Sequence, residues 1–232
     1  MYDENFAKIY NKDWAWFSEN MANNVLNLNI KRNSILDLGC GTGNFLQILE
    51  KHFKICIGID LSKDMIDIAK QNCKKANLFV GNILDFQFDQ KFNLITCNYD
   101  MINHLNTLEE YIKVFKNVYK HLEKGGLFLF DFNTKEYLNN LTTQPKSWEN
   151  DVTIKMAQDT FIDENHAKFS IKVYDKKNNL LASIEEVESF YDYKTIELAL
   201  REAGFNNIIF CNKDLQATQN LAAQRLFVMC RK

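Results

Sequence analysis

Residues 34–45 read S-I-L-D-L-G-C-G-T-G-N-F, and this stretch decides the fold. An apolar run typical of a buried strand leads directly into three glycines at alternate positions, Gly39, Gly41 and Gly43. Apolar residues then follow at helical spacing. A strand that turns abruptly into a helix needs residues that tolerate unusual φ values, and bare backbone lets a ligand approach closely. The stretch therefore predicts a nucleotide-type ligand site at the start of a β-α unit.

The glycine spacing narrows the choice of ligand. A dinucleotide-binding fingerprint reads G-x-G-x-x-G, and its third glycine lets helix and strand pack closely around a pyrophosphate. Counted from Gly39, that third position is occupied by Asn44, so the fingerprint fails. Asp37, two residues before the first glycine, attracts a positive group and repels a pyrophosphate. The pattern therefore favours a ligand that carries an ammonium group and no phosphate.

Residues 35–45 resemble motif I of the class I S-adenosylmethionine (SAM)-dependent methyltransferases. The resemblance implies SAM as the cofactor and S-adenosylhomocysteine as its product. It also implies methyl transfer by in-line displacement to a nitrogen or oxygen atom of a small molecule. The expected enzyme class is therefore a SAM-dependent methyltransferase, EC 2.1.1.-.

Further apolar runs predict the remaining strands of an α/β core. They lie at 55–60, 78–83, 92–97, 127–132, 207–211 and 226–230, with helical patterns between the earlier ones. The short polar loop between the last two runs fits the antiparallel terminal strand of methyltransferases. We expect a doubly wound, mostly parallel seven-stranded sheet, the Rossmann-like methyltransferase fold, with an antiparallel β insertion.

The end of the second predicted strand carries the next site residue, Asp60. Ligands of open α/β sheets bind at the carboxyl ends of the strands, so Asp60 is expected to accept hydrogen bonds from the ribose hydroxyls. Leu61 and Met65 are expected to cover the adenine. Asn82 occupies a position where the family commonly has an aspartate. Its amide oxygen can still accept a hydrogen bond from the adenine amino group, but this bond lacks the negative charge of a carboxylate. The resemblance assigns cofactor binding to Tyr10, Asp37, Gly39, Cys40, Gly41, Gly43, Asp60, Leu61, Met65, Asn82, Ile83 and Cys97.

The exit of the fourth predicted strand is the best place for groups that handle the methyl acceptor. Asp100, Asn103 and His104 lie there, although Asn103 equally fits a helix cap and His104 a plain surface residue. An amine acceptor needs deprotonation, and a hydroxyl acceptor needs a base more urgently. We predict His104, Asp100 and Tyr191 as the catalytic residues.

The chain divides into three predicted segments. Residues 1–30 carry aromatic residues at helical spacing, which predicts one or two helices that pack against the sheet or over its ligand-bearing edge. The resemblance favours a lid, with Tyr10 near the cofactor and Trp14 either near the cofactor or in the core. Residues 31–142 and 191–232 form the SAM-binding core. Residues 143–190 alternate apolar and polar side chains in three runs separated by turn residues, which predicts an inserted three-stranded antiparallel sheet with a bulge in its last strand. Such an insertion at the ligand-bearing edge is expected to cover the acceptor.

The insertion makes the chain similar to small-molecule enzymes of the family, including sugar N-methyltransferases. Members of that branch often carry a basic residue just before the tyrosine that matches Tyr191. Glu188, Ser189 and Phe190 stand there instead, so the acceptor is expected to differ.

Composition limits the partners. The formal net charge is −2 and no basic stripe is present, which disfavours nucleic acid as the substrate. The six cysteines show no metal-ligand or redox spacing, so no metal site and no disulfide is predicted. With no signal peptide and no apolar run long enough to span a bilayer, we expect a cytoplasmic protein that does not contact a membrane. The sequence leaves open whether the chain forms a homodimer.

Two other functions remain open at this point. One is an NAD(P)-dependent oxidoreductase of Rossmann type, which Asn44 and the glycine spacing disfavour. The other is a protein that binds SAM without catalysis, which no motif excludes. A binding screen with SAM and nicotinamide cofactors distinguishes the first, and transfer of labelled methyl groups distinguishes the second.

Overall fold

The computed structural model describes residues 2–232 and contains two β-sheets flanked by helices. The strands are β1 Ser34–Leu38, β2 Ile55–Asp60, β3 Asn77–Val80, β4 Phe92–Cys97, β5 Leu122–Asn133, β6 Lys146–Glu149, β7 Thr153–Phe161, β8 His166–Asp175, β9 Leu180–Ser189, β10 Asn207–Cys211 and β11 Arg225–Arg231. The helices are α1 Glu4–Asp13, α2 Ala15–Leu26, α3 Asn44–Leu49, α4 Lys63–Asn72, α5 Leu108–His121, α6 Lys135–Asn139 and α7 Tyr193–Glu202, with a 3-10 helix at Met101–His104.

The larger sheet has seven strands in the order β10-β11-β5-β4-β1-β2-β3. All neighbouring pairs are parallel except those that involve β11, which runs antiparallel to β5 and to β10. The predicted fold class is confirmed. The chain continues from β1 to β2 on one side of β1, whereas β4 lies on the other side of β1. The crevice beyond the carboxyl end of β1 is therefore the switch point, where sheets of this kind bind ligands.

The core forms because the parallel strands are apolar on both faces. Every residue of β1 is buried, and one cluster of buried side chains lies on each face of the sheet. Helix α5 buries Tyr111, Phe115 and Val118 on one side, and α2 and α3 cover the other. The rigid sheet holds the ends of β1, β2 and β4 at one edge.

The start of the fifth strand differs from the sequence prediction. The predicted run begins at residue 127, whereas α5 ends at His121 and β5 already begins at Leu122. Leu122 pairs with Phe92, and the register then shifts before Leu94 pairs with Leu127. Gly125 takes a left-handed φ of 77° within this irregularity. This glycine therefore allows a bulge inside the strand.

The inserted sheet is antiparallel, as predicted, but it has four strands in the order β6-β7-β8-β9 rather than three. The additional strand, β6, is short and fully exposed, so its side chains give no alternating pattern to recognise. The predicted irregularity lies at the start of β9, where the register shifts between Val173 and Tyr174 of β8. Val173 and Ala182 on the inner face pack with Phe6 of α1, which seats the inserted sheet over the amino-terminal helices.

The predicted amino-terminal helices are α1 and α2. Asp3 caps α1 by accepting a hydrogen bond from the Phe6 amide at 2.8 Å. Helix α1 packs between α4 and β9, so it bridges the core and the inserted sheet. Within residues 2–232, no helix has the length and apolar character needed to cross a membrane.

Candidate active site

The glycine turn lies where β1 ends, and Asp60 from the end of β2 fastens it. The Asp60 carboxylate accepts hydrogen bonds from the amides of Gly41 and Ser62, both at 2.8 Å. Gly39 and Gly41 have φ values of 69° and 52°, which L-residues rarely adopt. A Cβ on Gly39 would come within 2.3 Å of Met101 Cγ. The turn therefore requires glycine for its conformation at both positions and for space at Gly39.

Asp37 is buried beneath this turn. Thr96 on the neighbouring strand β4 donates to it from Oγ1 at 2.6 Å. Burial raises the pKa of Asp37 to about 7, although the Thr96 hydrogen bond opposes the shift. A carboxyl group with this pKa changes its charge near neutral pH, and a cation placed beside it favours the ionised form.

Three adjoining cavities follow the carboxyl edge of the sheet. The outer cavity, about 450 Å³, is lined by Leu61, Asn82 and Ile83 among others. The second cavity, about 180 Å³, lies under β9 and is called the acidic chamber because carboxyl groups line it. The inner cavity, about 40 Å³, lies under the glycine turn. Because Gly39 lines all three and Asp60 lines the larger two, they form one continuous cleft.

The acidic chamber gathers side chains from distant parts of the chain. Asp100 and His104 follow β4, whereas Glu186 and Glu188 come from β9 of the inserted sheet. His104 Nδ1 lies 3.5 Å from Glu186 Oε2. Burial raises the pKa of Glu188, and the nearby charges of Asp100 and Glu186 add to this effect. The chamber therefore gathers carboxyl groups closely enough that the ionised form of Glu188 is disfavoured.

The turn after β4 supports the chamber from behind. Tyr99 and Asp100 both have left-handed φ values, 64° and 49°, which are strained for residues other than glycine. Asp131 on β5 accepts hydrogen bonds from their amides at 2.7 and 2.9 Å. The Nε of Arg225 donates to the fully buried Asp131 at 2.7 Å, and its guanidinium lies over the rings of Phe17 and Tyr99. This ion pair fixes the direction in which Asp100 points.

The comparisons with known proteins agree with this geometry. A family model described as "Methyltransferase domain" matches residues 35–126. A S-adenosylmethionine-dependent methyltransferase from Clostridium acetobutylicum has a solved structure that is 26% identical, with 97% of each chain covered and a TM-score of 0.82. Residues 35–126 therefore match a methyltransferase domain, and the chain as a whole is similar to a SAM-dependent methyltransferase of known structure.

The curated relatives that the chain matches include dTDP-sugar N,N-dimethyltransferases. A dTDP-3-amino-3,4,6-trideoxy-α-D-glucopyranose N,N-dimethyltransferase from Streptomyces venezuelae is 30% identical over 138 residues, which cover 56% of this chain and 58% of the relative. The chain thus spans about half the length of the curated relatives it matches. An amino pentose methyltransferase from Micromonospora echinaspora shares the fold, with a TM-score of 0.77, 18% identity and coverage of 100% and 98% of the two chains.

The residues of the cleft fit SAM as the cofactor. The amide of Asn98 and the hydroxyl of Thr42 are buried, and neither has a hydrogen-bond partner in the described part of the chain. Both line the inner cavity beside Asp37. The cavity therefore offers a carboxylate and an acceptor for the ammonium group of a methionine, and hydrogen-bond donors for its carboxylate. The apolar Leu61 and Ile83 of the outer cavity suit an adenine.

Most of the predicted cofactor residues line this cleft. Asp37, Cys40 and Gly41 line the inner cavity, Tyr10 and Met65 the acidic chamber, and Leu61, Asn82 and Ile83 the outer cavity. Asn82 uses its amide oxygen to accept from the Leu84 amide at 2.9 Å.

Two predicted cofactor residues lie outside the cleft lining. Gly43 faces α4, where an added Cβ would meet Cys73 Sγ at 2.9 Å. Cys97 is fully buried in the core one residue before the cleft begins, because strand alternation turns its side chain away from the neighbouring Asn98.

Two of the three predicted catalytic residues also line the cleft, and the third does not. Asp100 and His104 line the acidic chamber. Tyr191 instead packs edge-on against Tyr111, 5.3 Å between ring centroids, and lines none of the three cavities, so its assignment needs correction. Asn103, which the sequence analysis listed among the groups near the acceptor, has a structural role. Its buried side-chain amide donates hydrogen bonds to the carbonyls of Asn133 and Ser189.

Sequence reasoning did not find several residues of the cleft. Glu186 and Glu188 lie on one face of β9, and their alternate spacing was the available signal. Asn98 directly follows the fourth predicted strand and was visible as a polar residue after a buried run. Arg225, which supports the turn behind the cleft, begins β11 and gave no local signal.

A further cavity, about 630 Å³ and larger than any of the three in the cleft, lies elsewhere, between α2 and the segment that joins β10 to β11. None of the predicted site residues lines it. Its size alone therefore does not make it the functional site.

Proposed function

We propose that this protein transfers a methyl group from SAM to a nitrogen or oxygen atom of a small molecule. The observation that carries the proposal is the continuous cleft, in which Asp37, the glycine turn and Asp60 lead into the acidic chamber under β9. Asp60 is the proposed acceptor for the ribose hydroxyls, and Asp37 the proposed partner of the cofactor's ammonium. SAM supplies an electrophilic methyl carbon when it is bound.

We propose roles for the three segments of the chain. Residues 1–30 act as a lid over the cofactor, and this is supported by Tyr10 and Trp14, whose stacked rings lie 5.4 Å apart at the chamber wall. Residues 31–142 and 191–232 hold the cofactor. Residues 143–190 cover the acceptor, supported by the position of Glu186 and Glu188 in the chamber.

A nitrogen acceptor is the finer proposal. The curated relatives of the Streptomyces and Saccharopolyspora species carry the name N,N-dimethyltransferase. An amine needs little from the protein beyond orientation and removal of a proton, because holding donor and acceptor in line can contribute ~7–11 kcal/mol to lowering the barrier. His104 and Asp100 are the proposed groups near the acceptor.

We also propose that the protein works in the cytoplasm. All six cysteines are free thiols and buried, which suits a reducing compartment. The exclusion of nucleic acid stays a prediction, and the formation of a homodimer stays open.

The test has two stages. Thermal-shift measurements with SAM, S-adenosylhomocysteine, NAD and NADP should show stabilisation by the first two alone. Incubation with methyl-labelled SAM and a pooled bacterial metabolite extract should then transfer label to a small product. Stabilisation by NAD or NADP alone would support an oxidoreductase. SAM binding with no transfer to any extract component would support a non-catalytic SAM-binding protein.

A further inference from the structure

The acidic chamber contains more carboxyl groups than the cofactor explains. Asp60, Asp100, Glu186 and Glu188 all line it, and Asp37 lies close by in the inner cavity. The proposed cofactor roles use Asp37 and Asp60. Of the other three carboxyl groups, Asp100 already accepts a hydrogen bond from Asn133 Nδ2 at 2.7 Å, which leaves Glu186 and Glu188 for the acceptor.

The carboxyl group of Glu188 has an oxygen atom that lacks a hydrogen-bond partner among the described residues. The residue is 9% exposed, and its Oε2 is buried with no hydrogen-bond partner in residues 2–232. A buried carboxylate oxygen without a partner costs stability unless a ligand satisfies it. Glu188 therefore points to a ligand that donates hydrogen bonds.

The nearest fixed cations are already paired. Arg225 binds Asp131 and lies 3.4 Å from Asp100, on the side of that residue held by β5. Lys155 pairs with Asp13. Among the described residues, none of the three cavities has a lysine or arginine in its lining. A phosphate group would therefore meet carboxylates with no compensating positive charge.

Aromatic rings complete the chamber wall. Tyr2, Tyr10 and Trp14 line it together with the carboxyl groups. Faces of such rings attract organic cations, and methylated ammonium groups in particular. Rings and carboxylates together select an organic ammonium ion over a strongly hydrated metal ion.

We propose that the acceptor is a small organic amine without a phosphate group, which enters as its ammonium ion and is bound by Glu186 and Glu188. This inference rests on the proposed methyltransferase function. The acceptor class differs from the dTDP-linked sugars in the names of the curated relatives.

Glu188 is also the proton acceptor in this proposal. The ammonium group gives one N–H proton to the Glu188 carboxylate, which leaves a neutral amine and a carboxylic acid. The nitrogen lone pair then forms a bond to the methyl carbon of SAM, and the carbon–sulfur bond breaks with its electron pair remaining on sulfur. The products are the methylated ammonium ion and S-adenosylhomocysteine, so charge and atoms balance.

The experiment follows the charge of the product. The full chain is incubated with methyl-labelled SAM and a pooled bacterial metabolite extract, and the labelled product is passed over ion-exchange resins at neutral pH. We expect the label on the cation exchanger and none on the anion exchanger. A labelled product that is neutral or anionic overturns this inference while the proposed function stands. A complete lack of transfer overturns both.

A matched pair of variants tests the residues. With the purified labelled acceptor, Glu188→Gln should raise KM on the order of 10-fold or more while leaving the Kd for S-adenosylhomocysteine unchanged. Glu185→Gln, on the same strand but with a 65% exposed side chain, should change neither. An unchanged KM in Glu188→Gln contradicts the proposal.

A divalent cation is the competing occupant, because ligand atoms of His104, Glu186 and Glu188 all lie within 4.8 Å of one another. Loss of activity in EDTA that Mg²⁺ or Mn²⁺ restores would overturn the ammonium assignment. Activity that survives EDTA supports it.

Discussion

At the residue scale, the site depends on carboxyl groups whose surroundings give them different tasks. Asp60 is bound by two backbone amides and faces the larger cavities. Asp37 is bound by one hydroxyl and is buried more completely. Both pKa values are raised, since burial is the largest cause for each. Two backbone hydrogen bonds oppose the rise in the pKa of Asp60, whereas one side-chain hydrogen bond opposes it at Asp37.

The first prediction concerns Asp60. Asp60→Ala should raise the Kd for SAM at least ~10-fold, because each hydrogen bond to a charged acceptor contributes ~1.5–3 kcal/mol. Isothermal titration calorimetry gives the affinity, and circular dichroism checks the fold. Asp67→Ala on the surface of α4 is the matched control and should bind normally. Normal SAM affinity in folded Asp60→Ala would remove this residue from the site.

A second prediction concerns the titration of Asp37. Its pKa of about 7 lies above the unfolded value of 3.8, so the folded chain binds the extra proton. This group therefore stabilises the free protein below the unfolded pKa, and that contribution is lost as pH rises toward 7.

Cofactor affinity should change in the opposite direction, because an ammonium group favours ionised Asp37. We expect the Kd for SAM to fall about 10-fold between pH 6 and pH 8. Calorimetry across this range measures the effect. Asp37→Asn should bind SAM weakly and with little pH dependence, and an Asn variant with the wild-type pH profile would contradict the role.

At the scale of secondary-structure elements, two segments outside the seven-stranded sheet complete the site, namely the turn after β4 and the inserted sheet. The Tyr99–Asp100 turn connects β4 to the 3-10 helix and keeps its strained conformation because Asp131 satisfies both amides. The inserted sheet reaches the cleft through β9. Asn103 joins the two segments, since its side-chain amide donates to the carbonyl of Ser189 at 2.7 Å.

The third prediction tests the turn. Asp131→Asn removes the charge opposite Arg225 and leaves one backbone amide without an acceptor. We expect a loss of about 1–3 kcal/mol in the free energy of unfolding and a higher acceptor KM. Urea denaturation and steady-state kinetics measure these effects. Asp89→Asn, which changes an exposed carboxylate, is the control. Equal stability of Asp131→Asn and wild type would show that the turn does not depend on this acceptor.

The fourth prediction concerns the inserted sheet. Replacing residues 146–188 by a short Gly-Ser linker keeps Ser189 in place but removes Glu186 and Glu188. SAM affinity should stay within a few-fold of wild type, since Asp37 and Asp60 remain, whereas methyl transfer should disappear. The deletion exposes Phe6, so the melting temperature has to be recorded as well. A folded deletion that methylates the same acceptor at the wild-type rate would contradict the role as an acceptor cover.

At the scale of the whole molecule, the cleft lies between three layers that meet at one edge of the sheet. The core contributes the glycine turn, α1 contributes Tyr10, and β9 contributes Glu186 and Glu188. A ligand that contacts all three layers links their stabilities, because it binds only the assembled form.

The fifth prediction uses this linkage. S-adenosylhomocysteine at 100 times its Kd should stabilise the chain by about 2.7 kcal/mol, which raises the melting temperature by roughly 5–10 °C. Differential scanning calorimetry measures the shift. NAD at the same concentration is the control and should have no effect. Equal shifts with both compounds would contradict specific recognition of the SAM family of ligands.

The sequence alone determined the sheet, the glycine turn and the positions of Asp37 and Asp60. These follow from local patterns, since an apolar run ending in glycines specifies a strand and its turn wherever it stands. Tertiary structure alone decided which side chains share the acidic chamber. Glu186 and Asp100 are 86 positions apart, and they meet only because β9 crosses the cleft. A shift of one residue in the register of β9 would turn both glutamates to the opposite face. The register shift between Val173 and Tyr174 and the packing of Ala182 with Phe6 decide that face, and neither can be read from local sequence.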